Sequence, residues 1–285
     1  MNVVFRPKFR AHQDRKIHEP AMVLPMNSAN VGIVIQSAKD RLRQNKNCLE
    51  SLLANTDYPY RLIWSHVTHD PVVTGYLLNC FHDGKIQHLF LHRPEDDWTA
   101  MGCQNACAKV FSVDFSILGP HPPEWLILST DDMEFQPGWL THAMKTAEAF
   151  ADVPNIGVWS IYRPPEHVWI PPAMKRGDYE ILFYKSLAVR CVMIKLALWM
   201  EMGGWNMTVA YSADWRFIAD LERRGLKMVV IGGEKVLHRD FGYLPAHGIR
   251  HADEICGDEK ALAMFGGYRG APGTTWPEEL SRPSV

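Results

Sequence analysis

The 285-residue sequence has no apolar run long enough to cross a membrane, since a spanning helix needs about 20 such residues. Net charge is also scarce. Lys and Arg number 30 against 32 Asp and Glu, a formal charge of -2, so no global field draws a polyanion and any anion site must be local. Paired cysteine spacings are missing too. Cys48, Cys80, Cys103, Cys107, Cys191 and Cys256 are scattered, without the short repeats of a zinc site or a disulfide framework. They read as reduced thiols, with Cys103 and Cys107 packing on one helix face. The first residues show no charged stretch followed by an apolar core and a cleavage site, and the expectation is a cytoplasmic chain.

What is present suffices for a sizeable core: 47% of residues are hydrophobic. Residues 1–30 combine Arg6, Lys8, Arg10, Arg15 and Lys16 with three prolines and read as a basic N-terminal arm. The pattern then sharpens. Val31-Gly-Ile-Val-Ile35 predicts a buried strand, Cys48 to Leu53 a helix and Arg61 to Trp64 a second strand. Ala100, Cys103, Ala106, Cys107 and Val110 recur at helical spacing, and Glu124 to Ser129 predicts a further strand. Alternating strands and helices imply an α/β domain with an open, mostly parallel sheet. Strand-like runs at Ile156 to Ile161, Ala188 to Ile194 and Met228 to Ile231, and a helix from Asp214 to Arg224, extend it. The Pro-rich stretch from Arg163 to Gly177 is expected to be a loop at the mouth of a site. One domain over residues 31–240 and a C-terminal extension over 241–285, packing on or near the site, complete the expected organisation.

Sheets of this kind bind ligands at the carboxyl ends of their strands, so the residues just after each strand carry the information. Ser129-Thr-Asp-Asp-Met-Glu134 follows an apolar strand and precedes Pro137-Gly-Trp-Leu140. Adjacent carboxylates there are hard oxygen ligands for a divalent cation that also holds phosphates; an Asp pair at a turn can equally be a cap. Met202-Gly-Gly-Trp205 comes next, then Asp214 at the opening of a helix, where a carboxylate is favoured. His238 follows the strand at Met228 to Ile231 and offers a nitrogen ligand.

Taken together and in this order, these segments resemble family 2 glycosyltransferases of the GT-A fold, over about residues 31–240. The resemblance implies a Rossmann-like single domain and a metal-dependent transfer from a nucleotide-sugar donor to an acceptor hydroxyl, inverting by direct displacement. Mn²⁺ or Mg²⁺ is the implied cofactor. Matched backwards from Pro137, Asp132 becomes a metal ligand, Asp131 faces donor ribose or metal, and Thr130 stands where the family usually has an acid. His238 matches the imidazole that completes the metal site, and Asp214, in Ala213-Asp214, matches the catalytic base.

Ser65, beside His66, stands where members carry a base-contacting Asp; Gln36, Ser37 and Asp40 after the first strand are the remaining base or ribose contacts. Arg93 and Gln104 are further donor positions, and Trp169 and Trp215 are acceptor platforms. A saccharide is the leading acceptor class and a modified nucleic-acid base the other. The departures at Thr130, Ser65 and Ala213 leave a second reading, a degenerate domain that binds nucleotide or glycan without transfer. A nucleotidyltransferase would need a glycine-rich loop after the first strand, and Gln36-Ser-Ala-Lys-Asp40 contains no glycine.

Overall fold

A computed structural model describes residues 30–38, 41–68, 70–93, 100–113, 121–162, 172–183, 190–205 and 213–238, and only the backbone of 38, 100–101 and 213–216. The basic arm, apart from Asn30, and the C-terminal extension lie outside the described residues, as do Asp40 and Trp169.

The first half alternates as expected: β1 (Val31–Ala38), α1 (Leu42–Asn55), β2 (Arg61–Val67), α2 (Pro71–His82), β3 (His88–His92), α3 (Ala100–Ser112) and β4 (Trp125–Thr130). β1 is buried on both sides because its side chains alternate between two cores, Ile33 and Ile35 in one and Val34 in the other. Helix α2 begins where Asp70 accepts a hydrogen bond from the Val72 N–H, with Pro71 in its first turn. These four strands pair in parallel in the order β3-β2-β1-β4.

The second half contains β5 (Met133–Phe135), α4 (Trp139–Ala149), β6 (Ile156–Ser160), β7 (Ala173–Arg176), β8 (Tyr179–Phe183) and β9 (Cys191–Lys195). It closes with α5 (Leu196–Met202), α6 (Ala213–Arg223), β10 (Lys227–Ile231) and β11 (Val236–His238). The main sheet has nine strands in the order β3-β2-β1-β4-β9-β6-β10-β8-β7. Pairing directions make β8 and β9 the two that run against the rest. The sheet is therefore open and mostly parallel. A separate antiparallel ribbon, β11-β5, joins the segments that follow β10 and β4 in the chain.

Part of the Pro-rich stretch differs from the loop expected of it. Ala173–Arg176 is strand β7, hairpinned to β8 across Gly177 at φ 58°. Pro172 needs no N–H there, because it lies at the edge and uses its carbonyl to accept from Phe183 N at 2.9 Å. Residues 163–171 lie outside the described set.

Two cores cover the sheet. Trp64 and Trp139 anchor the face lined by α1, α2 and α4; Trp199, Trp205 and Phe217 anchor the face lined by α3, α5 and α6. Complete burial of one such side chain contributes roughly 1.5–3 kcal/mol. Five described cysteines are free and buried, which agrees with the thiol expectation. No helix among the described residues is long and apolar enough to cross a membrane.

Candidate functional site

The acid turn forms because β4 ends at Thr130 and the chain reverses at once into β5, leaving Asp131 and Asp132 at the carboxyl rim of the sheet. The N–H of Asp131 donates to the carbonyl of Gln36 at 3.1 Å, fastening the turn to the end of β1. Thr130 Oγ1 donates to Asp132 Oδ1 at 2.5 Å and so orients that carboxylate.

The two carboxylates have different surroundings. Asp131 is buried, and Asn45 Nδ2 donates to its Oδ2 at 3.0 Å while Arg41 Nη1 stands 3.5 Å from its Oδ1. Burial, then the neighbouring charge of Asp132, pushes the Asp131 carboxyl up to about 7 against the pull of Arg41 and Asn45. Asp132 is more open, with a side chain 17% exposed. Burial alone would raise its pKa too, but hydrogen bonds from His238 and Thr130 and the charges of His238 and Arg190 hold it down to about 2. One carboxylate is thus charged across the physiological range and the other titrates within it.

His238 reaches the turn because β11 pairs antiparallel with β5, setting His238 opposite Met133. Its Nε2 lies 3.2 Å from Asp132 Oδ2, although the two are 106 residues apart in sequence. The ring of Tyr162 packs against the imidazole, centroids 6.0 Å apart. Arg190 Nη1 approaches the same Nε2 at 2.5 Å. Asp132 and His238 are therefore brought together. Among the described residues no group of three or more His, Cys, Asp and Glu side chains is arranged to hold a metal ion.

Asp214 is the second residue of α6, and only its backbone is described. A chain of contacts links that helix to the acid turn. Phe217, three residues further along α6, packs on Trp205 with centroids 4.9 Å apart. Trp205 Nε1 donates to Gln104 Oε1 at 2.7 Å, and Gln104 Nε2 donates to the carbonyl of Ser129 at 3.1 Å. Asn105 holds the Trp205 backbone at both ends, with bonds of 2.8 and 2.9 Å. This is why the turn carries Gly204: at φ 73° it is left-handed, and an added Cβ would stand 2.3 Å from Asn105 Oδ1. Gln104 accordingly braces the turn through protein bonds.

The other donor positions divide. Gln36 is 4% exposed at the end of β1, and its Nε2 has no hydrogen-bond partner among the described residues. Ser37 is fully buried; its Oγ accepts from Trp64 Nε1 at 3.0 Å and pairs with His66 Nδ1 at 2.9 Å. Ser65 is equally buried and pairs with His92 Nε2 at 2.8 Å. Both serines spend their hydroxyls inside the protein. Arg93 is exposed just after β3, and β3 stands three strands from β4, about 14 Å at the usual spacing.

Three rim residues escaped the sequence reading: Arg41, Asn45 and Arg190. The first two had a signal. Positions 41, 45 and 48 share one face at the start of α1, and Arg41, Asn45 and Cys48 all touch the acid turn, Cys48 through Sγ to the Thr130 carbonyl at 3.8 Å. Arg190 had none, because it precedes a strand. β9 runs antiparallel to β4 with Cys191 opposite Ser129, so the residue before β9 arrives at the same rim as the residues after β4.

No protein-family model matches the sequence, and no curated protein matches it. Solved structures do. The mannosyltransferase PcManGT of Pyrobaculum calidifontis, solved with GDP-Man and Mn²⁺, superposes over 90% of this chain and 70% of its own, with TM-score 0.53 and 13% identity. GalNAc-T7, solved with UDP, GalNAc and Mn²⁺, covers 73% of this chain at TM-score 0.55 and 11% identity, and S. aureus TarS covers 73% at 0.53 and 11%. This chain spans 36% of the length of TarS and 43% of GalNAc-T7. With strand order, acid turn and these superpositions in agreement, the chain has the GT-A glycosyltransferase fold.

Proposed function

We propose that the chain is a metal-dependent glycosyltransferase that moves a sugar from a nucleotide-sugar donor to an acceptor hydroxyl, inverting in a single displacement and acting in the cytoplasm. The observation that carries this reading is the meeting of His238 Nε2 with Asp132 Oδ2 at 3.2 Å on the carboxyl rim of a GT-A sheet. A carboxylate oxygen and an imidazole nitrogen that close could both reach one divalent cation, so Asp132 and His238 would be the residues to hold Mn²⁺ or Mg²⁺. A carboxylate with one imidazole leaves the remaining positions to donor phosphates and water, which is how such cations are usually held. When bound, the cation neutralises charge on the departing diphosphate.

The protein's own groups supply the rest. Asp214 accepts the proton of the acceptor hydroxyl as that oxygen attacks the anomeric carbon. Asp131, kept in place by Asn45 and Arg41, faces the donor ribose. The unsatisfied amide of Gln36 donates to the nucleoside. Ser37 ties β1 to β2, Ser65 ties β2 to β3, and both leave the nucleotide to other groups. A saccharide hydroxyl is the leading acceptor, with a hydroxyl on a modified nucleic-acid base the other.

Incubation with UDP-, GDP-, dTDP- and CDP-sugars in Mn²⁺ tests the reading. At least one donor should release its nucleoside diphosphate, and EDTA should abolish the release. Binding of donors without release from any of them, with saccharide acceptors present, would leave a nucleotide-binding domain and end the transferase reading.

A further inference from the structure

The imidazole of His238 presents one nitrogen to two neighbours that require opposite things of it. Nε2 lies 3.2 Å from Asp132 Oδ2 and 2.5 Å from Arg190 Nη1. A guanidinium carries only donors and keeps its proton, so it needs a lone pair on Nε2, with the imidazole proton on Nδ1. The carboxylate needs an N–H at that same atom. One nitrogen cannot meet both.

A divalent cation at this point resolves the conflict, because it takes the lone pair and the carboxylate together. It also makes the place untenable for a second positive charge. We infer that Arg190 is a stand-in cation: in the ligand-free chain its guanidinium takes the place on His238 Nε2 that the metal would take, beside Asp132, and it moves to the donor diphosphate when the metal arrives. This deepens the proposed function and rests on it.

Placement and chemistry support the exchange. Arg190 enters from β9, directly opposite the acid turn, whereas Arg41 enters from α1 and spans both carboxylates, its Nη1 3.5 Å from Asp131 Oδ1 and 3.7 Å from Asp132 Oδ2. The Arg190 guanidinium stands on the imidazole nitrogen itself. A planar guanidinium binds two phosphate oxygens at once, so a diphosphate beside the metal gives the displaced group a better partner than the one it left. Metal and diphosphate should then bind cooperatively, each raising the other's affinity by the same factor.

The test titrates Mn²⁺ alone into the full chain, following free Mn²⁺ by electron paramagnetic resonance, and then titrates UDP and GDP at saturating Mn²⁺ by calorimetry. Removing a competing charge-assisted bond should make Arg190→Gln bind Mn²⁺ alone roughly tenfold more tightly than the native chain. The same variant should bind whichever nucleotide the native chain binds roughly tenfold more weakly. Arg190→Met, which keeps the aliphatic stem, should show both shifts and serves if the Gln variant does not fold. Unchanged or weaker affinity for Mn²⁺ alone in the folded variants overturns the inference. Equal Mn²⁺ affinity of native and Asp132→Ala chains would instead bring down the cation site of the proposed function.

Discussion

Gln36 and Ser37 are adjacent on β1, both are buried, and their side chains point to opposite faces of the sheet. Ser37 belongs to a closed network: its hydroxyl joins Trp64 and His66, and the other imidazole nitrogen of His66 meets Thr74 Oγ1 at 3.2 Å. Gln36 keeps a donor with no partner among the described residues, beside the turn where Asp131 and Asp132 crowd together. A buried polar group that is fully bonded stabilises the fold, whereas one left unsatisfied costs about 1–3 kcal/mol until something binds it. Burial of polarity alone therefore does not mark a site; unfilled bonding capacity does. The acid turn repeats the contrast on a larger scale, with one carboxylate held up to about 7 and the next held down to about 2.

Five substitutions sharpen that comparison, beginning with the largest effect. Asp214→Asn should lower turnover by about a thousandfold and leave binding of the nucleoside diphosphate nearly unchanged, read by product release and calorimetry. A loss confined to binding would remove the assigned base. Asp132→Ala should weaken Mn²⁺-dependent nucleotide binding and turnover together, by roughly a hundredfold, whereas a purely structural Asp132 would affect only the melting temperature.

Asp131 acts through pH. Its folded pKa of about 7 lies above the ordinary 3.8, so the folded state retains a proton that the unfolded state has released. The contribution of this carboxyl to stability is then fully present below pH 4 and declines as pH rises towards 7, by at most about 1.4 kcal/mol per pH unit. Asp131→Asn should flatten that decline in denaturant titrations run at several pH values, and an unchanged slope would show that the carboxyl is not held up.

The smallest shifts come from the adjacent pair on β1. Gln36→Met removes an unsatisfied donor at similar volume and should raise stability by up to about 1 kcal/mol while weakening nucleotide binding. Ser37→Ala opens a closed network and should lower stability by about 1 kcal/mol with binding within about twofold of native. Equal behaviour of the two variants would erase the distinction between them.

The first half of the fold was legible because each element there follows its own period. Val31 to Ile35, Cys48 to Leu53 and Glu124 to Ser129 form β1, α1 and β4 where their apolar patterns place them. Helix α2 carried a signal in Asp70-Pro71, a cap followed by a first-turn proline, that no apolar stripe reinforced. Strand β7 was hidden by the prolines before it, since an edge strand tolerates them. At the site, the rule of looking after each strand found the acid turn. It could not find Arg190, which reaches the rim only because β9 is inserted antiparallel between β4 and β6. Pairing between residues distant in sequence, such as Asp132 with His238, depends on sheet order, and no local pattern in a single sequence encodes sheet order.

Anomalous diffraction from a crystal of the full chain grown with Mn²⁺ and a nucleoside diphosphate addresses the central claim most directly. A manganese peak should lie within coordinating distance, about 2.0–2.3 Å, of both Asp132 and His238. A peak elsewhere on the molecule, with those two side chains still bonded to each other, would contradict the account.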